Sequence, residues 1–384
     1  MKQANSIYLD HAAGTFLLPI VQDYIASQVY KKTGNPSSIH GVGRLASASL
    51  DKSRQEVASS IGCMSGEIIF TSGGTEANNL ALGGIAKGLK KQGRHIITCR
   101  TEHPSVLESC KQLESEGFSV TYLNTNSFGR IDLNELRASI TDDTILISLM
   151  WVNNETGLIH PVKDIADLAR IRNVKFHCDA AQVLGHLPIQ IKNLGVDAMT
   201  FSSHKIGAPS GLGVLYLRKG TVLSRQLHGG AQEGNLRAGT QNLIGATAFA
   251  KAIRYQVDHI QEHHGHYRTL MDQLQNQLSN IPGIQINRDT GEYSPHIVNC
   301  SFQNIDGEAL FIRLDMKNIS VSNGAACSSG SQKPSHVLTA MGLDEKLSQA
   351  SLRISLGLET SEDEIDKFCH ELEYIVHSLQ RGNP

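Results

Sequence analysis

Residues 174–205 read VKFHCDAAQVLGHLPIQIKNLGVDAMTFSSHK, two apolar runs that each end in polar side chains. The runs VKFHCDA and AMTFSS are short and nearly all apolar, as expected of strands covered on both faces of a sheet. The segment between them is long enough to cross over from one parallel strand to the next. This stretch therefore predicts two neighbouring parallel strands of an open α/β sheet.

The same rhythm extends outward from about Glu67 to Arg218. The predicted strands are EIIFTS, HIITCR, SVTYL, TILISLMWV, VKFHCDA, AMTFSS and GVLYLR. Helix-start signals lie between them, at Pro104, Asp132 and Pro161. The rhythm predicts parallel strands joined by crossover helices, in a mostly parallel seven-stranded sheet.

The pattern changes after this region, and a smaller α+β domain is predicted. Its elements are a polar helical stretch from about Gly239 to about Asn280, the strands HIVNCSF and SLRISL, and helices near Gly307–Met316 and Ser361–Leu379. We place the large domain at residues 16–254. The small domain then comprises residues 1–15 and 255–384.

Composition and charge exclude several classes of protein. Of 384 residues, 40% are apolar and 19% charged, so the chain is globular. Its 35 basic and 37 acidic side chains give a net charge of −2, which disfavours binding to nucleic acid or an anionic membrane. No stretch approaches the ~18 consecutive apolar residues of a membrane span. We expect a soluble, cytoplasmic protein with a small-molecule substrate.

Seven cysteines, with no C-x-x-C pair, argue against a disulfide framework or a structural zinc site. Most lie in apolar runs, as buried thiols do. Cys327 differs, because it lies among small residues in SNGAACSSGS at 322–331. We expect it to be exposed on a loop, either as a nucleophile or as an incidental surface thiol.

TSGGTEANN, at residues 71–79, links a predicted strand to a predicted helix. Its glycines, including Gly74, allow close approach of a ligand, Thr75 offers a hydroxyl, and the helix N-terminus offers free N–H groups. This turn could bind a phosphate, or it could be an ordinary capped turn. It matches neither the P-loop nor the dinucleotide fingerprint, which disfavours a nucleotide.

Asp179 and Lys205 follow neighbouring predicted strands and should face one crevice. Pyridoxal phosphate requires a lysine for its Schiff base, a carboxylate for its pyridine nitrogen and a phosphate cup. Asp179, Lys205 and the Thr75 turn supply one candidate for each. A structural ion pair between Asp179 and Lys205 is the alternative.

Four further side chains are candidates from their positions. His103 and Asn154 follow strands at the same edge, where they could stack on a cofactor ring and bind an oxygen, or simply form loop hydrogen bonds. Arg237 and Arg353 could bind a carboxylate.

Three histidines recur at helical spacing in DHIQEHHGH. They are His259, His263 and His266, and the polar surroundings favour a solvated helix face over a metal site. We predict no metal ligands.

Together these motifs resemble the cysteine desulfurases of the NifS/IscS type, in the class V aminotransferase branch of the fold-type I pyridoxal phosphate enzymes. The resemblance runs nearly end to end. The matching motifs are IYLDHAAG at 7–14, GNPSSIHG at 34–41, TSGGTEANN at 71–79, TEHPSV at 101–106, VNNETG at 152–157, DAAQ at 179–182, SSHKIG at 202–207, RAGT at 237–240, the Cys327 loop and LRISLG at 352–357.

The resemblance implies a set of cofactor contacts. Lys205 would bind the cofactor covalently and move the substrate's Cα proton, Asp179 would pair with the pyridine nitrogen, and His103 would stack on the ring. The remaining cofactor contacts would be Gln182 at the ring hydroxyl, and Gly74, Thr75, Ser202, His204 and, from the neighbouring subunit of a homodimer, Thr240 at the phosphate.

The resemblance also implies the reaction. Asn35, Asn154 and Arg353 would orient the carboxylate of L-cysteine, and Cys327 would take its sulfur as a persulfide, releasing alanine. The sulfur would pass to an acceptor or scaffold protein in iron–sulfur cluster assembly, or to tRNA or cofactor thiolation. The alternatives are an aminotransferase or selenocysteine lyase that does not need Cys327, and a catalytically silent protein with this fold.

Two positions depart from the family pattern. His11 stands where the family usually has Tyr or Asn, and Ile206–Gly211 lacks the family's second lysine. The missing lysine bears on which acceptor receives the sulfur, whereas His11 either tunes the pocket or is neutral.

Overall fold

The computed structural model describes residues 6–28, 34–323 and 334–382. The strands are β1 (Ile7–Tyr8), β2 (Ile68–Thr71), β3 (His95–Cys99), β4 (Ser119–Leu123), β5 (Thr144–Ser148), β6 (Lys175–Asp179), β7 (Ala198–Ser202), β8 (Gly213–Leu217), β9 (Ile284–Ile286), β10 (Ile297–Phe302), β11 (Ile319–Ser320) and β12 (Ser351–Ser355). The helices are α1 (Pro19–Gln28), α2 (Gly41–Ile61), α3 (Gly74–Leu89), α4 (Pro104–Ser115), α5 (Leu133–Ser139), α6 (Val162–Ile171), α7 (Ile191–Leu194), α8 (Gln232–Asn235), α9 (Leu243–Asp258), α10 (Ile260–Leu278), α11 (Gly307–Met316), α12 (His336–Ala340), α13 (Glu345–Gln349) and α14 (Glu362–Gln380).

The central sheet has seven strands in the order β2-β8-β7-β6-β5-β3-β4. All seven coincide with predicted strands, which confirms a mostly parallel α/β sheet. The one departure from the parallel pattern in the described sheet is β8, which runs antiparallel to both β2 and β7. Only residues 203–212 join β7 to β8, and a parallel crossover needs a dozen residues or more.

Alternate residues of the central strands pack on opposite faces of this sheet. Ile97 and Ile147 belong to one apolar cluster, whereas their neighbours Ile96 and Leu146 belong to another. The side chains of all four residues are fully buried. Burial on both faces fixes the strands, so the side chains beyond their carboxyl ends have a rigid base.

Helix starts follow the predicted signals. Pro104 opens α4, and the Asp132 side chain caps α5 by accepting from the N–H of Asn134 at 2.8 Å. Pro161 stands directly before α6. These caps account for the clean alternation of strands and helices.

A second apolar cluster lies outside the central sheet. It combines Ile7 and Leu9 with residues of the range 267–376, including Phe368 on α14. β9, β10 and β12 form an antiparallel sheet there, and β1 pairs in parallel with β11. The proposed division of the chain near residue 254 is compatible with these clusters and stays a prediction.

The polar stretch predicted from about Gly239 to about Asn280 is two helices, α9 and α10. They are separated at His259, whose backbone N–H and ring Nδ1 both contact the carbonyl oxygen of Tyr255. The solvated histidine face was a wrong expectation for His263, which is buried and packs near Tyr255. In the described part of the chain, no group of His, Cys, Asp and Glu could hold a metal ion.

The cysteines of the described residues are unpaired, and all but Cys63 are buried. Burial raises the pKa of Cys110 and of Cys300 to about 12, so these thiols stay protonated. Cys327 lies outside the described residues. Within them, no helix has both the length and the apolar character needed to cross a membrane.

Candidate active site

A cavity of about 690 Å³ opens where the central strands end. The predicted site residues that line it are Gly74, Thr75, His103, Asn154, Asp179, Gln182, Ser202, His204, Lys205 and Arg353. They come from the segments after β2, β3, β5, β6 and β7 and from β12. The rule that parallel strands present their carboxyl ends at one edge thus brings these residues together.

Asp179 is the last residue of β6 and faces this cavity from a buried position. One of its oxygens accepts from Asn78 Nδ2 at 2.7 Å, and the other accepts from the N–H of Ala181 at 3.0 Å. Two donors hold the carboxylate in one orientation. Asn78 was missed from the sequence, although it lies one turn after Thr75 on the same helix face.

Lys205 ends the 3₁₀ turn Ser203–Lys205, which follows β7. Its Nζ donates to the carbonyl oxygens of Ala12 and Ala13, the latter at 2.8 Å. Gln182 Nε2 donates to the same Ala12 oxygen at 2.9 Å. The DHAAG segment therefore positions both side chains from the far end of the sequence.

His103 caps α4 and presents a neutral ring to the cavity. Its Nδ1 accepts from the backbone N–H of Ser105 at 3.1 Å. Because an N–H only donates, the neutral ring carries its proton on Nε2. Burial lowers the pKa of His103, the Asp179 charge opposes that shift, and Lys205 adds to it.

The turn at the start of α3 forms a cup with the segment after β7. A Cβ atom on Gly74 would lie 3.4 Å from Ser202 Cβ, in ordinary van der Waals contact, so these two residues are neighbours in the cup. Ser202 Oγ lies 3.0 Å from His204 Nδ1. Burial, with a smaller contribution from Lys205, lowers the pKa of His204 to about 4. Free N–H groups at the helix start complete a site suited to a phosphate.

Arg237, a candidate for binding a substrate carboxylate, does not line the cavity. Its guanidinium binds Glu76 on α3, with Nε and Nη2 at 2.7 and 3.0 Å from the two oxygens. Burial favours a higher pKa for Glu76, but bonds from Arg237 and Ser72 outweigh it and leave this pKa below its ordinary value. Arg237 thus stabilises the helix that forms the cup.

Arg353, on β12, is 2% exposed and lines the cavity. Nη2 donates to Asp10 Oδ1 at 2.7 Å, and Nη1 donates to the carbonyl oxygen of Asn154 at 3.0 Å. Nε has no hydrogen-bond partner within the described residues. The arginine and Asn154 are therefore held beside each other; that they bind a substrate carboxylate stays a prediction.

Glu155 and Ser335 also line the cavity and were not predicted. Ser335 Oγ donates to Glu155 Oε2 at 2.5 Å and caps α12. Burial raises the pKa of Glu155 to about 7, against the opposing effects of Ser335 and Arg353. Glu155 adjoins Asn154 in the NNETG motif, a position that could have suggested it.

Asn35 and Thr240 lie outside the cavity and are exposed in the single chain. Asn35 accepts from the N–H of Ser37 at 2.9 Å, which makes a local turn. A single chain therefore does not bring Asn35 to the substrate position that the resemblance implies.

The residues present fit pyridoxal phosphate. The Gly74 cup offers backbone donors and hydroxyls for the phosphate, and Asp179 offers a carboxylate to a ring nitrogen. Asn78 Oδ1 is buried without a partner in the described structure, beside that carboxylate. Lys205 supplies the amine and His103 the flat ring, so each chemical part of the cofactor has a matching group.

Asn78→Ala removes a hydrogen bond to the Asp179 carboxylate. Bonds to charged groups contribute roughly 1.5–3 kcal/mol, so we expect affinity for pyridoxal phosphate to fall about 10- to 100-fold. Absorbance titration of the apoenzyme with the cofactor measures this. Asn79→Ala, on the exposed side of α3, is the matched control and should bind normally. Wild-type affinity in Asn78→Ala would contradict the assigned role.

Glu155→Gln should change how stability depends on pH. The folded-state pKa of Glu155 is above its ordinary 4.5, so its contribution to stability is present below pH 4.5 and lost as pH rises through about 7. Between low and high pH, the free energy of unfolding of Glu155→Gln should therefore fall by roughly 2–3 kcal/mol less than that of the wild type. Urea unfolding at pH 5 and pH 8 tests this, with Glu345→Gln as an exposed control. Equal pH dependence in wild type and Glu155→Gln would refute it.

Comparison with known proteins gives consistent matches. Residues 7–368 match the aminotransferase class-V family. The chain is 40% identical to a protein named cysteine desulfurase IscS from Dictyoglomus turgidum, covering 98% of this chain and 96% of that one. A solved NifS-like protein superposes with a TM-score of 0.92 at 36% identity, over 97% of this chain and 100% of its own. A structure described as SspA in complex with cysteine superposes with a TM-score of 0.79 at 32% identity, over 91% of this chain and 99% of its own.

Proposed function

This chain belongs to the class-V aminotransferase family, and we propose that it is a pyridoxal phosphate-dependent cysteine desulfurase. The single observation that carries the proposal is the cavity, where an amine, a carboxylate, a neutral histidine and a phosphate cup meet. Relatives named cysteine desulfurase match it over nearly its whole length, and they point to L-cysteine as substrate.

The chain's own residues hold the cofactor. Asp179 would bind the ring nitrogen, His103 would pack against the ring, and the Gly74 cup would bind the phosphate. When bound, pyridoxal phosphate withdraws electrons from the substrate and so weakens bonds near its α-carbon. Lys205 would hold the cofactor through its amine and would move a proton at the substrate's Cα.

Arg353 and Asn154 orient the substrate. A guanidinium fits a carboxylate through two parallel hydrogen bonds, and Asp10 holds this guanidinium in place. The substrate's α-carboxylate therefore sets the direction in which its thiol lies.

Cys327 is the proposed sulfur acceptor. Its role rests on its setting among small residues and on the family resemblance, since it lies outside the described residues. Its thiolate forms an S–S bond while the substrate's C–S bond breaks, and the substrate carbon takes up a proton to give alanine. The persulfide then passes sulfur to an acceptor or scaffold protein in iron–sulfur cluster assembly or thiolation.

A homodimer is the proposed assembly. Ile39, Val42 and Leu45 recur at three-residue spacing around the start of α2 and are 90%, 51% and 74% exposed. Such a row of exposed apolar side chains is suited to a symmetric contact with a second copy. In that dimer Thr240 would extend to the phosphate cup of the neighbouring subunit.

We place the enzyme in the cytoplasm. The buried, unpaired thiols of the described residues suit a reducing compartment.

Cys327→Ser tests the reaction. The wild type with L-cysteine and a thiol reductant should release alanine, whereas Cys327→Ser should not, because a hydroxyl cannot accept sulfur as a persulfide. Alanine is quantified by chromatography. Cys63→Ser, which changes another thiol of the chain, should keep full activity.

Equal alanine formation by wild type and Cys327→Ser would favour a different nucleophile or a lyase that does not need Cys327. Amino-group transfer to a keto acid without release of sulfur would instead indicate an aminotransferase. If the wild type forms neither product from L-cysteine, the substrate assignment is wrong.

Arg353→Lys tests carboxylate recognition. Lysine cannot form the bidentate contact, so KM for L-cysteine should rise about 10- to 100-fold. The cofactor absorbance should be unchanged, since Arg353 holds substrate rather than cofactor. Steady-state kinetics measures KM, with Arg254→Lys on the exposed side of α9 as control. An unchanged KM would exclude the contact.

A further inference from the structure

The short segment α8 is not a regular helix. Its residues Glu233, Gly234 and Asn235 have φ angles of 48°, 62° and 68°, in the left-handed region. Glycine and asparagine tolerate this region, but a glutamate rarely adopts it, because its Cβ crowds the following carbonyl oxygen. A residue in such a conformation persists only where the surrounding structure fixes it, and such residues occur mainly at functional sites. The contacts of the Glu233 side chain must therefore compensate for the strain of its backbone.

The Glu233 carboxylate is buried and accepts hydrogen bonds from two residues. Arg54, on α2, donates from Nη2 to Oε1 at 2.8 Å and from Nη1 to Oε2 at 2.7 Å. The backbone N–H of Phe70 donates to Oε2 at 2.9 Å. The side chain of Glu233 is 0% exposed and that of Arg54 is 15% exposed. Parallel hydrogen bonds between a guanidinium and a carboxylate define a geometry as well as an energy, so the two side chains are fixed relative to each other.

This ion pair covers the open edge of strand β2. In the seven-stranded sheet β2 is an end strand, and it pairs with β8 on one side. On the other side, Arg54 Nη1 donates to the carbonyl oxygen of Ile68 at 2.6 Å, and Glu233 accepts from the N–H of Phe70. The two side chains thus bond to β2 where a neighbouring strand would otherwise do so. As a result, β2 is held along both of its edges.

The cup begins where β2 ends. β2 runs to Thr71, and α3 begins at Gly74. A second ion pair holds the far side of this turn, with Arg237 Nε at 2.7 Å from Glu76 Oε1 in the first turn of α3. Arg237 follows Glu233 by four positions. One short segment therefore fixes both the strand that enters the cup and the helix that leaves it.

We propose that Glu233 is a positioning residue for the cofactor phosphate, which fixes β2 and so keeps the cup in its phosphate-binding shape before the cofactor binds. The inference rests on the proposed function, which assigns the phosphate to this cup. A cup whose N–H groups are already oriented loses little conformational freedom on binding, and its affinity is higher for that reason. Neither Glu233 nor Arg54 is among the described residues that line the cavity, so both act through β2.

A positioning role and a purely structural role lead to different ligand affinities. Pyridoxal has the ring and the aldehyde of pyridoxal phosphate but lacks the phosphate, so it would use Asp179 and Lys205 without the cup. Loss of an ion pair that only stabilises the fold would weaken the binding of both compounds alike. Loss of a positioning residue of the cup would weaken only the binding of pyridoxal phosphate. The ratio of the two dissociation constants therefore separates the two roles.

Glu233→Gln is the first test, because the glutamine amide has one acceptor oxygen where the carboxylate has two. The affinity of the apoenzyme for pyridoxal phosphate should fall about 10- to 100-fold, as it does for metal sites that lose a residue orienting a ligand. The affinity for pyridoxal should equal that of the wild type. Absorbance titration measures both. Asp258→Asn, which breaks an exposed ion pair with Arg254 on α9, is the control and should bind both compounds normally.

Arg54→Lys is the second variant, chosen because it keeps a positive charge beside the buried carboxylate. An ammonium cannot form the two parallel bonds of a guanidinium, so the same selective loss is expected. Equal losses for both compounds, or wild-type affinity for pyridoxal phosphate in both variants, would overturn the inference. Failure of both variants to fold, monitored by circular dichroism, would also overturn it, because the pair would then be required for the fold itself. If the wild type binds pyridoxal phosphate no more tightly than pyridoxal, the assignment of the cup and the proposed function fail instead.

Discussion

The main chain at Ala12 connects the seven-stranded sheet to the smaller sheet of β9, β10 and β12, and the site depends on both of these layers. Its N–H donates to Ser355 Oγ at the end of β12, at 2.9 Å, and its carbonyl oxygen accepts from Lys205 Nζ and Gln182 Nε2. One residue near the start of the chain thus fixes the amine beyond β7 relative to the smaller sheet. Any shift between the layers would move Lys205 away from Arg353, which lies on β12.

This connection through Ala12 explains why the cavity combines groups for the cofactor with a group for the substrate. The rigid edge of the seven-stranded sheet supplies the cofactor groups, Asp179, Lys205 and the Gly74 cup. The smaller sheet supplies Arg353, positioned by Asp10 from the segment that follows β1. A substrate held by Arg353 therefore meets a cofactor held by the other layer, at a separation set by packed structure.

The sequence could predict what depends on local pattern. Seven strand positions followed from apolar runs and capping signals, and the sheet-edge rule brought Asp179 and Lys205 to one crevice, because these rules operate over a few residues. Gln182, Ser202 and His204 were expected only from the family resemblance. Failures came from partners distant in the chain. Arg237 forms an ion pair with Glu76, 161 positions away. β8 runs antiparallel to β7 because the segment that connects them is short. Asn78 contacts Asp179, 101 positions away, and only its helical spacing from Thr75 hinted at a place in the site.

Burial then decides how charge is distributed within the cavity. It lowers the pKa of His103, His204 and His336, so the rings around Lys205 stay neutral at pH 7. Neutral rings do not repel the ammonium of Lys205 or the guanidinium of Arg353, and they leave lone pairs available for hydrogen bonds and proton transfer. Positive charge is thereby concentrated on the two side chains that must bind anions or carry an amine, and histidines provide uncharged contact and basicity.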